Sequence, residues 1–155
     1  MGDSILNGIV EEKLCGQGRL VKVKRFPGST VDDLSHHIIR IIRKKPTNMI
    51  IHTGTNDAPS LMSREIQDNL LKLKALVNEK LPQCKVWLST PTLRTDNRKV
   101  TLTVSQLVNH LLNLNIDVID NRNIKSRHLS RQGLHLNDSG SKLLARHFLE
   151  KIKFF

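Results

Sequence analysis

The chain has 155 residues, enough for one domain with a substantial core, and no apolar run approaches the roughly 20 residues of a membrane span. Its 25 Lys and Arg against 14 Asp and Glu give a net charge of +11, a balance that attracts polyanions, either nucleic acid or anionic lipid. With no Tyr, one Trp and four Phe, a stacking platform for single-stranded bases is not expected, so any nucleic acid would be gripped by its phosphates with weak sequence preference.

Val21, Val23 and Phe26 alternate with Lys22, Lys24 and Arg25, which predicts a half-buried strand ended by Pro27-Gly28-Ser29. Thr30 then caps a helix with Asp32 and Asp33 in its first turn and Leu34, Ile38, Ile41 and Ile42 on its inner face. His36, His37, Arg40, Arg43, Lys44 and Lys45 form a basic ridge along and beyond it, and Pro46 stops it. Asn48–His52 is a short apolar run that predicts a buried strand. Ile66, Leu70, Leu73 and Val77 predict a second helix, Val86-Trp87-Leu88 a strand, and Val104, Leu107, Val108, Leu111 and Leu112 a third helix. A strand over Ile116–Ile119 and a final helix from about Ser139 to Ile152, with Ala145, Phe148, Leu149 and Ile152 inward, complete the pattern. Strands alternating with helices imply an α/β fold, a parallel sheet with helices on both faces, with ligands at the carboxyl ends of the strands.

The loops at those ends carry Gly2-Asp3-Ser4, Gly28, Gly54-Thr55-Asn56-Asp57 and His135. A serine hydroxyl is a weak nucleophile that needs a base, here His135, and attack on an ester builds an oxyanion that preorganised donors must meet. The Ser4 N–H, the Gly28 N–H and the Asn56 side-chain amide are the candidate donors, with Asp3 and Asp57 in supporting roles. No Gly-x-Ser-x-Gly elbow is present, which disfavours an α/β-hydrolase. The Gly16-Gln17-Gly18 fragment has no preceding strand and no third glycine, so it is not read as a dinucleotide site. His36, His37, His52, His110, His128 and His147 show no zinc spacing, and neither do Cys15 and Cys84. A reduced, intracellular and cytoplasmic setting is expected from the cysteines.

In order and spacing the four blocks resemble the SGNH subgroup of GDSL-type esterases and lipases, across nearly the whole chain. The resemblance implies one three-layer α/β/α domain over residues 1–155 with a mostly parallel, flavodoxin-like sheet. It implies hydrolysis of carboxylic esters, acetyl or another short acyl, with no metal or organic cofactor. More narrowly, "GDSILNGI", "HTGTND" and "GLHLNDSGSKLLA" look like the esterase domain of the first-open-reading-frame protein of LINE-type retrotransposons.

Two departures stand out. The family's acid lies three residues before the histidine, where this chain has Gln132. An amide can orient an imidazole but not stabilise its cation, and the analogous loss in a serine protease lowers turnover about ten-thousand-fold. A working Ser-His dyad, a weakened enzyme and an inactive basic module binding RNA or an anionic membrane through Arg40, Arg43, Lys44 and Lys45 all remain open. The strand expected before Gly2 is also reduced to Met1, so the domain is expected to be part of a longer polypeptide.

Overall fold

The computed structural model describes residues 1–16 and 18–152; Gln17 and residues 153–155, which the sequence reading included, lie outside the described residues. Three parallel strands pair in the order β1-β2-β3: β1 (Asn48–His52), β2 (Lys85–Ser89) and β3 (Val118–Ile119). β1 and β2 run in register from Asn48 beside Lys85 to His52 beside Ser89. β3 keeps only Val118 and Ile119 of the expected Ile116–Ile119, pairing with Leu88 and Ser89. Each βα connection returns to start the next parallel strand, the crossover that parallel pairing demands.

Alternation along the strands separates two cores. Met49, Ile51, Val86 and Leu88 face α1 (Val31–Ile42), α2 (Ser63–Lys80) and α3 (Arg98–Leu112). Ile50, Trp87 and Ile119 face α4 (Asp138–Ile152) and the short helical turn Ser4–Gly8. The result is an α/β fold of three layers. On α4 the inward stripe is Leu144, Phe148 and Ile152 with His147, while Ala145 and Leu149 are half-buried at its margin. Helix α1 starts as its sequence requires: the Thr30 hydroxyl accepts from the Asp33 N–H and the Asp33 carboxylate accepts from the Thr30 N–H, a reciprocal cap. It closes before Pro46 with Lys45 in the left-handed region at φ 48°, its N–H donating to the Ile42 carbonyl at 2.8 Å.

The predicted strand over Val21–Phe26 is a correction. Its exposure alternates as expected, but regular pairing shrinks to one bridge, Arg25 with Gly2. A strand needs a neighbour along its length, and here the neighbour is only Met1-Gly2. Gly2 bridges Arg25 on one side and His52 on the other, so two residues join the 21–26 segment to β1. A Cβ at Gly2 would lie 2.0 Å from the His52 carbonyl oxygen, which restricts the position to glycine.

Candidate functional site

The Gly2 ladder delivers Asp3 and Ser4 to the carboxyl end of the sheet. Asp3, 1% exposed, caps the Ser4–Gly8 turn: one carboxylate oxygen accepts from the Ile5 N–H at 2.9 Å and the other from the Thr55 hydroxyl at 3.1 Å. Burial raises its pKa, against which these bonds and the nearby charges of His135 and Arg94 pull. Ser4 is half-buried, and among the described residues neither its hydroxyl nor its N–H has a hydrogen-bond partner.

The second loop is a turn. Ser29 N–H donates to the Phe26 carbonyl at 3.1 Å, and Gly28 sits at φ +77°, where side chains other than glycine are strained. A Cβ there would meet nothing within 4 Å, so the glycine answers to the backbone angle rather than to a neighbouring protein group. The Phe26 N–H donates to the Gly2 carbonyl at 2.9 Å, which fastens this turn to the Ser4 segment.

In the third loop the Asn56 amide donates to the Ser29 carbonyl at 3.0 Å, leaving its second N–H for other use. Asp57, 3% exposed, accepts the Val31 N–H at the start of α1, 3.2 Å from each oxygen, and burial pushes its pKa up to about 6. Asp57 thus ties the Asn56 loop to the helix that follows Gly28.

His135 lies in a turn held by the Gly133 N–H to the Ser130 carbonyl and the Ser130 N–H to the His135 carbonyl, with Gly133 at φ +70°. It is half-buried and within electrostatic reach of Asp3, the residue before Ser4, with no hydrogen bond between Ser4 and His135. Catalytic bonds are often loose before substrate arrives. Gln132 is exposed and makes no hydrogen bond among the described residues.

Sequence reasoning missed Arg94 and Asp96. The loop after β2 climbs to the His135 turn, where the Thr95 N–H donates to the Gly133 carbonyl at 2.9 Å. Arg94, 7% exposed, grips Asp96 with two N–H groups at 2.9 and 2.6 Å and donates to the Thr55 carbonyl at 3.0 Å. The guanidinium holds the Asp96 carboxyl below the usual carboxylate range, with a smaller pull from His135. No periodic pattern marks an i, i+2 pair in a loop, so the sequence offers no signal for it.

A second serine and histidine lie nearby and are sealed. His52 Nδ1 is 2.9 Å from Ser89 Oγ, Asn121 donates to that hydroxyl at 2.8 Å, and His147 Nδ1 is 2.7 Å from Asn121 Oδ1. The direction of the His52–Ser89 bond follows the ring tautomer, because the hydroxyl that accepts from Asn121 can still either donate to or accept from Nδ1, and His52 Nε2 is buried without a partner. Burial lowers the His52 pKa to about 3. His52, His128 and His147 are buried, and among the described residues no three His, Cys, Asp or Glu groups form a metal cluster. Cys15 and Cys84 are free thiols.

No family model and no curated protein matches the chain. Solved structures do. A lipase/acylhydrolase from Enterococcus faecalis is 23% identical, with a TM-score of 0.76 over 98% of this chain and 92% of its own. A protein of the G-D-S-L lipolytic family from Desulfitobacterium hafniense is 19% identical, with a TM-score of 0.78 over 97% and 95%. A carbohydrate esterase of family 3 from Talaromyces cellulolyticus is 16% identical, with a TM-score of 0.75 over 98% and 93%. This chain has the fold of those proteins.

Proposed function

We propose that the chain is a serine hydrolase of carboxylic esters, with acetyl or another short acyl group as the substrate class. The observation that carries the reading is Ser4 itself: a half-exposed hydroxyl with no partner, on a glycine-restricted turn at the strand end, beside an aspartate that feels His135. In this reading Ser4 Oγ attacks the ester carbonyl carbon while His135 takes its proton. The Ser4 N–H, the Gly28 N–H and the remaining Asn56 N–H meet the oxyanion. Asp3 and Asp57 hold the nucleophile turn and the Asn56 loop. The tetrahedral adduct then expels the alcohol, which His135 protonates, and water deprotonated by His135 releases the acid from Ser4.

Gln132 supplies no charge to the imidazolium of that cycle. Asp96, ionised beside Arg94 on the loop that touches the His135 turn, supplies part of it, so turnover persists at a reduced level. The acylhydrolase and carbohydrate-esterase chemistry of the structural neighbours supports the reaction class. The "GDSILNGI", "HTGTND" and "GLHLNDSGSKLLA" blocks support the narrower reading, an esterase domain of a retrotransposon-encoded protein. Labelling with a fluorophosphonate tests the nucleophile: the native chain is labelled and Ser4→Ala is not. Equal labelling of both, or of neither, overturns the reading.

A net charge of +11, with Arg40, Arg43, Lys44 and Lys45 all exposed around the end of α1, favours a second reading, a basic module for RNA or anionic membrane. Salt-sensitive RNA or liposome binding unchanged by Ser4→Ala, with no labelling of Ser4, is its signature. Among the described residues no helix is long and apolar enough to cross a membrane.

A further inference from the structure

The tripeptide Arg94-Thr95-Asp96 stands between two loops of the site. Its middle residue reaches one of them: the Thr95 N–H donates to the Gly133 carbonyl at 2.9 Å, in the turn that carries His135. The contact has no slack, since a Cβ on Gly133 would lie 2.2 Å from Thr95 Oγ1 and 3.1 Å from the Asp96 nitrogen. Its first residue reaches the other loop: Arg94 Nη1 donates to the Thr55 carbonyl at 3.0 Å. That carbonyl belongs to the peptide plane joining Thr55 to Asn56, so holding it fixes the direction from which the Asn56 side chain starts. The Thr55 hydroxyl donates to Asp3, beside Ser4, at 3.1 Å. Buried Thr55 is thus the point where the Ser4 turn, the Asn56 loop and Arg94 meet.

The guanidinium makes the tripeptide stiff. Nε and Nη2 grip Asp96 at 2.9 and 2.6 Å as a two-pronged fork, which leaves Nη1 to serve Thr55. The Thr101 hydroxyl donates to the Arg94 carbonyl at 2.7 Å and ties the same residue to the start of α3. The surface carries the same kind of fork for comparison. Arg122 grips Asp120 through Nε and Nη2, but those side chains are 60% and 41% exposed, and among the described residues the guanidinium reaches no other loop. The Arg94 side chain is 9% exposed. A buried ion pair adds little stability over a well-packed apolar pair, so what the Arg94 fork adds is a fixed geometry among the groups it joins.

We propose that Arg94 is a positioning residue that sets the distance between the oxyanion donor Asn56 and the base His135, an inference that rests on the hydrolase reading. It acts through the Thr55 loop and the His135 turn and not on the ester itself. Among the described residues, the Thr95 bond to Gly133 is the hydrogen bond that joins the 130–135 turn to the other loops of the site. Arg94 and Asp96 hold Thr95 from both sides, so the guanidinium decides where that bond is made. A shift of about 1 Å in such a constellation costs about a hundredfold in rate. A lysine would keep the charge but could not serve Thr55 and both Asp96 oxygens from one plane.

The test uses Arg94→Ala, Arg94→Lys and the surface control Arg122→Met in the whole chain. Both Arg94 variants are expected to lower kcat for a chromogenic acetate ester about ten- to a hundredfold with KM within about threefold, and Arg122→Met to change neither. Guanidinium ion at millimolar concentration raises the Arg94→Ala rate about fivefold or more, because it refills the place between Asp96 and Thr55. A loosened fold would not be mended in this way. Native kcat in Arg94→Lys overturns the proposal, since charge alone would then suffice, and so does a loss in Arg94→Ala that guanidinium leaves unchanged. If Arg94→Ala does not fold, Arg94→Lys decides alone. A second readout needs no turnover. The Asn56 side-chain amide and the His135 ring shift in nuclear magnetic resonance spectra of the Arg94 variants and stay in place in Arg122→Met. A native chain without esterase activity removes the hydrolase reading and leaves these resonances to decide the joint; an unmoved His135 ring overturns it.

Discussion

Ser89 and Ser4 both sit at the carboxyl end of the sheet, and their surroundings are opposite. Ser89 ends β2, 2% exposed, and is bonded to His52 and Asn121. Ser4 follows the two-residue ladder of Met1-Gly2, half-exposed and bonded to nothing among the described residues. In the proposed reading the short serine–histidine hydrogen bond belongs to the buried pair and not to the nucleophile. The sealed pair satisfies polar groups where β1, β2 and the β3–α4 layer meet, and its histidine is held neutral. Among the described residues the open serine has an N–H and an O–H without a partner and a buried carboxylate, Asp3, beside it, which is what the proposed ester reaction needs.

Substitution of each serine separates the two most sharply. Ser4→Ala is expected to lower hydrolysis of a chromogenic acetate ester about a thousand-fold or more. Ser89→Ala is expected to leave turnover within a few-fold while costing about 1–3 kcal/mol in urea unfolding, because Asn121 and His52 lose their buried partner. Asn56→Ala is expected to lower kcat about a hundred-fold through the lost oxyanion donor, with KM changing little. Unaltered kcat would remove Asn56 from the site.

Acid distinguishes the pairs next. A histidine whose folded pKa lies below its unfolded one binds fewer protons when folded, so its stabilisation is whole above 6.5 and drains away as pH falls toward 3. For His52 the unfolding equilibrium should rise about thirty-fold between neutral pH and about pH 5. Asp57 opposes it, since a carboxyl raised from 3.8 to about 6 stabilises most at low pH and loses that contribution as pH rises through 6. Urea titrations of the native chain and of His52→Leu at pH 7 and pH 5 measure the difference; equal slopes with pH would mean that His52 is not held neutral. The smallest effects concern the charge around His135. Gln132→Asp is expected to raise turnover several-fold to about tenfold, and Asp96→Asn to lower it by a similar factor. Turnover untouched by Asp96→Asn would reduce Asp96 to a loop fastener.

What could be read in advance follows the range of the forces involved. The bounds of α1 and β1 are local matters: Thr30 and Asp33 lie within one turn, and Asn48–His52 is one apolar run bounded by Pro46 and Gly54. The 21–26 segment shows the limit, because its alternation is local while its pairing depends on a neighbour that the sequence supplies for two residues only. The Ser4, Gly28, Asn56 and His135 blocks were legible as motifs at strand ends, and bonds from Phe26 to Gly2, Asn56 to Ser29 and Thr55 to Asp3 join the first three loops. Arg94 and Asp96 were not, since their importance arises from the loop after β2 reaching the Gly133 carbonyl 38 residues further on. The His52–Ser89–Asn121–His147 chain has the same origin: four residues from four elements, each unremarked alone.

The bond from Asp57 to Val31 has a mechanical consequence. Helix α1 is a rod about 18 Å long. Its first turn is fastened to the Asn56 loop by Asp57, and the Asn56 amide rests on Ser29 just before that turn. Its other end carries Arg40, Arg43, Lys44 and Lys45 in solvent. The start of the rod and the Asn56 loop are thus one fastened unit, with the cationic end of the same rod standing in solvent three turns away.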